Sequence, residues 1–137
     1  MKYIGVDIGS VRIGVAASDP LGFSARGVAV LKASDEWMEQ LMEIVREQDA
    51  GALVVGVPLR TTGERGPEAV KVLSIISAMR KRFAGIEIIE WDERFTTRIA
   101  TDALIEADVS RKGRKQVVDK VAAAILLRDY LESRRTP

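Results

Sequence analysis

The stretch GVDIGSVRIG, residues 5–14, decides how the rest of this chain is read. It places one acid, Asp7, inside an apolar run, breaks at Gly9 and Ser10, and resumes with Arg12 and Ile13. Residues 2–8 (KYIGVDI) and 12–18 (RIGVAAS) therefore read as two short strands joined in a hairpin. A carboxylate where a sheet favours Val or Ile loses hydration, a cost that only a counter-charge or hydrogen bonds offset. A bound cation is one such partner. A turn or capping role is the plainer alternative, so Asp7 alone decides nothing.

Working outward, Val28 to Leu31 reads as a third strand completing a meander, and Ser34 as the N-cap of a helix with Asp35 and Glu36 in its first turn. Trp37, Met38, Leu41, Met42, Ile44 and Val45 recur at helical spacing until Ala50-Gly51 ends the pattern. Trp37 is read as core, not as a platform for stacked bases. Residues 52–57 (ALVVGV) are continuously apolar, as a strand covered on both faces should be. The polar, turn-rich segment 58–66 is expected to be a mobile loop. Pro67 suits the first position of a helix running to about Phe83. Residues 86–91 (IEIIEW) form the last strand. A helix containing Ile99, Ala103, Leu104 and Ala107 follows DERFTT, and the basic connector SRKGRK leads to a final helix ending near residue 132. The expected architecture is α/β, one mixed sheet flanked by helices, in a single domain over residues 1–137. Helical crossovers make the later strands parallel to the first.

Composition narrows the chemistry. The 137 residues include no His and no Cys, which removes imidazole acid–base catalysis, thiolate nucleophiles and the usual zinc sites. No disulfide framework, signal peptide or apolar span is visible, so the default setting is cytoplasmic with no membrane partner. A net charge of +1 conceals segregation: Arg111, Lys112, Arg114 and Lys115 are crowded together, while acids gather over residues 35–49.

Sites in open α/β sheets collect beyond the carboxyl ends of strands. Asp7 stands at one such end, and Asp92 and Glu93 at another. Parallel neighbours lie about 4.8 Å apart, so acids at those ends can share a cation. A third acid, Asp119, stands among Val118, Val121, Ala122 and Ile125, with Ala122 and Ala123 small enough to let its helix approach the sheet. Three carboxylates suit Mg²⁺ or Mn²⁺, and such ions hydrolyse phosphodiesters without His or Cys. Each acid singly has a capping explanation as well. Arg12, Arg60, Arg65, Arg94, Arg98 and the run Arg111, Lys112, Arg114 and Lys115 are the candidate phosphate contacts; each also has a local ion-pair or solvated-loop reading. Closure of the 58–66 loop over substrate through Arg60 and Arg65 is a further expectation. GVDIGSVRIG has neither the dinucleotide-binding nor the P-loop glycine spacing, and its turn leads into a strand. The two-domain actin-like kinases share a Gly-rich phosphate hairpin of this kind, but this chain has length for only one such domain.

With the three acids in order, the chain resembles the bacterial YqgF (RuvX) family of the RNase H-like superfamily over nearly its full length. The resemblance is carried by GVDIGSVRIGVAASD (5–19), VVGVPLRTTGERG (54–66), WDERFTTRIA (91–100) and VVDKVAAAILLRDYL (117–131). It implies a five-stranded sheet of order 3-2-1-4-5 and catalytic, metal-binding acids at Asp7, Glu93 and Asp119. It also implies either maturation of the 5′ end of 16S ribosomal RNA, the favoured expectation, or resolution of Holliday junctions. Related resolvases carry paired acids one turn apart on the final helix, where this chain has Gln116 before Asp119 and Ala122 after it. That departure favours single-site RNA hydrolysis, with Asp92 read either as a partial substitute or as a cap. The expected partners are RNA or branched DNA and ribosome-associated proteins, with the protein a monomer or weak dimer. A binding module that keeps its acids as caps is the non-enzymatic alternative.

Overall fold

A computed structural model describes residues 1–60, 62–93 and 114–135, with side chains in the last segment from Asp119 onward. The strands β1 (Lys2–Ile8) and β2 (Arg12–Ser18) have the limits that the sequence suggests, closed by the Gly9 N–H donating to the Arg12 carbonyl at 3.0 Å. β3 is longer than expected, Ala25–Lys32, because a bulge between Val15 and Ala16 lets the ladder run on past Val28 to Ala25. β4 (Ala50–Val57) and β5 (Glu87–Asp92) pair parallel, β4 with β1 and β5 with β4. The sheet order is β3-β2-β1-β4-β5, as the family resemblance implies.

Helix α1 (Trp37–Gln48) begins later than expected and Ser34 does not cap it; the N-cap position is Glu36, without a side-chain cap bond. Ser34 instead belongs to the turn leaving β3, its N–H donating to Lys32 O at 2.8 Å and its carbonyl accepting from the Trp37 N–H at 3.3 Å. The other end differs too. Asp49 takes the left-handed conformation (φ 52°) and donates its N–H to Arg46 O, which frees Ala50 and Gly51 to open β4. Helix α2 (Pro67–Arg82) starts on Pro67 as expected. The final helix, α3, spans Arg114–Arg135, so the last two residues of the basic connector are its first two.

Alternation along the strands sorts the core into two layers. Ile4, Val6, Ile13, Val15, Leu53, Val55 and Ile88 pack against α1 and α2, with Trp37 partly buried at that layer's edge. Tyr3, Ala16, Ala52 and Val54 pack against Ala123, Leu126, Leu127 and Leu131 of α3. At the far end of the β2 hairpin, Asp19 Oδ1 accepts the Ser24 and Phe23 amides, led by Ser24 in lowering its carboxyl below the ordinary aspartate value. Among the described residues, no helix is long and apolar enough to cross a membrane.

Candidate active site

Asp7 belongs to the α3 side of the sheet. In β1 the residues of that parity are Tyr3, which packs on α3, and Gly5, where an added Cβ would lie 2.8 Å from Leu127 Cβ. Asp7 continues the alternation at the carboxyl end of the strand. Its partner across the β1–β2 ladder is Gly14, and the register Val6–Val55 places Gly56 of β4 next to it on the other side.

Both neighbours lack a side chain, and the space is used by the other two acids. A Cβ on Gly14 would stand 2.1 Å from the Asp119 carbonyl oxygen, so α3 rests directly on the β2 backbone there. A Cβ on Gly56 would stand 2.3 Å from Glu93 Oε1 and 2.4 Å from Leu126 Cδ1, so the Glu93 carboxyl lies across β4. Asp7 is thereby flanked by one strand carrying Asp119 above it and another carrying Glu93. Small residues on α3 were expected to permit this approach, and Ala123 does lie against the sheet; the glycines beneath were the signal overlooked.

The three acids share one face and one end of the sheet, yet among the described residues no group of three or more acidic side chains is close enough to hold a metal ion. Asp119 is turned toward β2. Its Oδ2 accepts a hydrogen bond from Arg12 Nε at 2.6 Å, with the side chains 23% and 30% exposed. The donors are nevertheless of the chemistry that hard divalent ions take.

The remaining candidates separate. Asp92 has the parity of Ile88 and so faces away from α3; with Glu90, Trp91 and Arg65 it lines a cavity of about 210 Å³. It is therefore not placed to replace a ligand beside Asp7. Within the described part of the 58–66 segment, the Gly63 N–H donates to Arg60 O at 2.7 Å and the Arg60 N–H to Glu64 O at 3.0 Å. The Arg60 guanidinium packs over Gly66, where a Cβ would lie 2.8 Å from Nε. Arg94, Arg98, Arg111, Lys112 and the helix expected around residues 99–107 lie outside the described residues, and Arg114 and Lys115 are described by backbone alone.

Gly56→Ala tests the position of Glu93. The new methyl meets the far ends of two flexible side chains, so a stability loss of about 1–3 kcal/mol is expected. A melting temperature unchanged from that of the unaltered protein would contradict this placement.

A five-stranded mixed sheet of this order, carrying acids on the face beneath its last helix, defines an RNase H-like fold of the kind found in resolvases. The structure of Thermus thermophilus RuvC bound to a Holliday junction substrate aligns with a TM-score of 0.58 at 14% identity, covering 99% of this chain and 97% of that one. The fowlpox virus resolvase in complex with Holliday junction DNA aligns with a TM-score of 0.57, also at 14% identity. The profile of the RuvX family, described as Holliday junction resolvase, matches residues 1–133, and the chain belongs to that family. A Clostridium botulinum relative named "Putative pre-16S rRNA nuclease" is 42% identical over 135 residues, covering 97% of this chain and 98% of its own. A Clostridium acetobutylicum relative of the same name is 41% identical over 135 residues, covering 97% and 99%.

Proposed function

We propose that this chain is a cytoplasmic, single-domain endonuclease that uses a divalent metal ion to hydrolyse phosphodiester bonds in structured RNA, its substrate being the 5′ end of precursor 16S ribosomal RNA. The observation that carries the reading is Asp7 lying between two bare strand positions, one overlain by the Asp119 backbone carbonyl and the other by the Glu93 carboxyl. Full-length relatives named as nucleases of that precursor support the choice of substrate. Asp7, Glu93 and Asp119 would hold Mg²⁺ or Mn²⁺. When bound, the ion activates the attacking water and stabilises the leaving oxygen. The chain's own part is to fix the carboxylates on a rigid sheet end and to bind the strand through arginines and lysines. Ribosome-associated proteins are the expected partners, and a monomer suffices, since cleavage at one site needs no second active centre.

The family's own description supports a second reading, resolution of branched DNA, which requires two sites on opposing strands and so a stable symmetric dimer. Incubating the protein and Asp119→Asn with precursor ribosomal RNA and with a four-way DNA junction, each with Mn²⁺ or with chelator, separates the two. The expected result is cutting of the RNA alone, only with Mn²⁺ and only by the unaltered protein. Cutting of the junction alone selects the second reading, and cutting of neither sinks both. Arg60 and Arg65 enter as strand contacts. Replacing both with Gln should weaken RNA binding and reduce its logarithmic salt dependence by about 0.7 for each lost single-strand phosphate contact. An unchanged slope would remove the loop from the interface.

A further inference from the structure

Arg12 and Lys32 are direct partners across the β2–β3 ladder, so their side chains leave the sheet on the same face, the one that carries Asp7 and α3. Two like charges placed directly opposite destabilise a sheet unless an anion lies between or beside them. Asp119 supplies that anion to Arg12. The Lys32 side chain is exposed and makes no hydrogen bond or ion pair with any described residue. The two cations also line one cleft of about 370 Å³, together with Val11, Val30, Ala33 and Ser34, and Arg12 links it to Asp119.

Asp119 therefore has two competing claims on it. It cannot serve a divalent ion at full strength while one oxygen is held by the Arg12 guanidinium at 2.6 Å. If it turns to the ion, Arg12 stands beside Lys32 with neither charge neutralised. The chemistry that satisfies both released cations is a phosphate, and a guanidinium fork with an adjacent ammonium is well suited to one.

We propose that Arg12 and Lys32 form a phosphate subsite for the nucleic-acid strand, and that Arg12 exchanges Asp119 for a backbone phosphate when metal and substrate bind. This rests on the nuclease reading above and adds Lys32, which no sequence motif singles out. Arg12 then couples the two ligands: substrate tightens metal and metal tightens substrate by the same factor.

The test is Mn²⁺ titration by calorimetry without nucleic acid, on the unaltered protein, Asp119→Asn, Arg12→Gln, Arg12→Lys and Lys32→Gln. Arg12→Gln should bind Mn²⁺ about 5- to 20-fold more tightly, because its Asp119 is already released. Arg12→Lys should return most of the way to the original affinity, and Lys32→Gln should stay within about twofold of it. Separately, binding of a single-stranded RNA oligonucleotide in chelator, where nothing is cut, should show the salt dependence of Lys32→Gln reduced by about 0.7. Arg12→Gln binding Mn²⁺ no better than the unaltered protein overturns the exchange, and an unchanged salt dependence for Lys32→Gln overturns the subsite. If Asp119→Asn binds Mn²⁺ as well as the unaltered protein, the metal site itself fails, a separate outcome.

Discussion

Asp7→Asn is expected to lower the rate of metal-dependent cleavage by about 10³-fold or more while the protein still folds. The amide occupies the same space and can still accept a hydrogen bond, so the strand and its pairing with Gly14 survive. What is lost is one of the three anions proposed to hold the ion. A divalent ion stabilises a phosphoryl transition state by several kcal/mol, and each 1.36 kcal/mol is tenfold in rate. Parallel measurements of cleavage with Mn²⁺ and of thermal melting check this. Retained activity would return Asp7 to the status of a strand-end cap and remove it from the metal site.

Gly14→Ala is expected to have the largest effect on stability. At Gly56 the obstruction is the tip of two side chains, but at Gly14 the new methyl would meet the Asp119 carbonyl oxygen at 2.1 Å and its carbon at 2.7 Å. Backbone cannot rotate away. Helix α3 must lift from the sheet and loosen the layer formed by Ala16, Val54, Leu126 and Leu127. Overpacking of this kind costs about 3 kcal/mol or more, equivalent to roughly a 10 °C fall in Tm for a chain of this length. A melting temperature within a degree or two of the unaltered protein would mean that α3 does not rest on β2 as described.

These two residues show what was legible in the sequence. The hairpin limits could be read because alternation and the Gly9 turn are local signals, and the order of the sheet followed from the family resemblance. Asp7, Glu93 and Asp119 were identifiable as candidates because acids in strand ends and in an apolar helix stand out against their neighbours. The ends of α1 were misjudged because Ser34 and Gly51 are generic punctuation; hydrogen bonds to Lys32 and Trp37, and the left-handed Asp49, settle the boundaries. The separation of Asp92 from Glu93 followed from strand parity, which becomes certain only once β5 is seen to begin at Glu87.

Contacts between distant positions were not legible at all. Arg12 and Asp119 are 107 residues apart, and nothing in either local sequence selects the other. Lys32 meets Arg12 only through a ladder whose register includes a bulge. The glycines at 14 and 56 drew no reading of their own inside their strands, whereas their use is to admit an α3 carbonyl and the Glu93 carboxyl. Such roles are set by what crosses above a residue, which chain order does not encode.

The central claim is that Asp7, Glu93 and Asp119 together receive a divalent ion, and diffraction from Mn²⁺-soaked crystals at the manganese absorption edge tests it most directly. The account predicts an anomalous peak beside Asp7, about 2.0–2.2 Å from its carboxyl oxygen, with Glu93 and Asp119 as further ligands and Asp119 turned away from Arg12. No peak at that position, with Asp119 still bonded to Arg12 at saturating Mn²⁺, would contradict it.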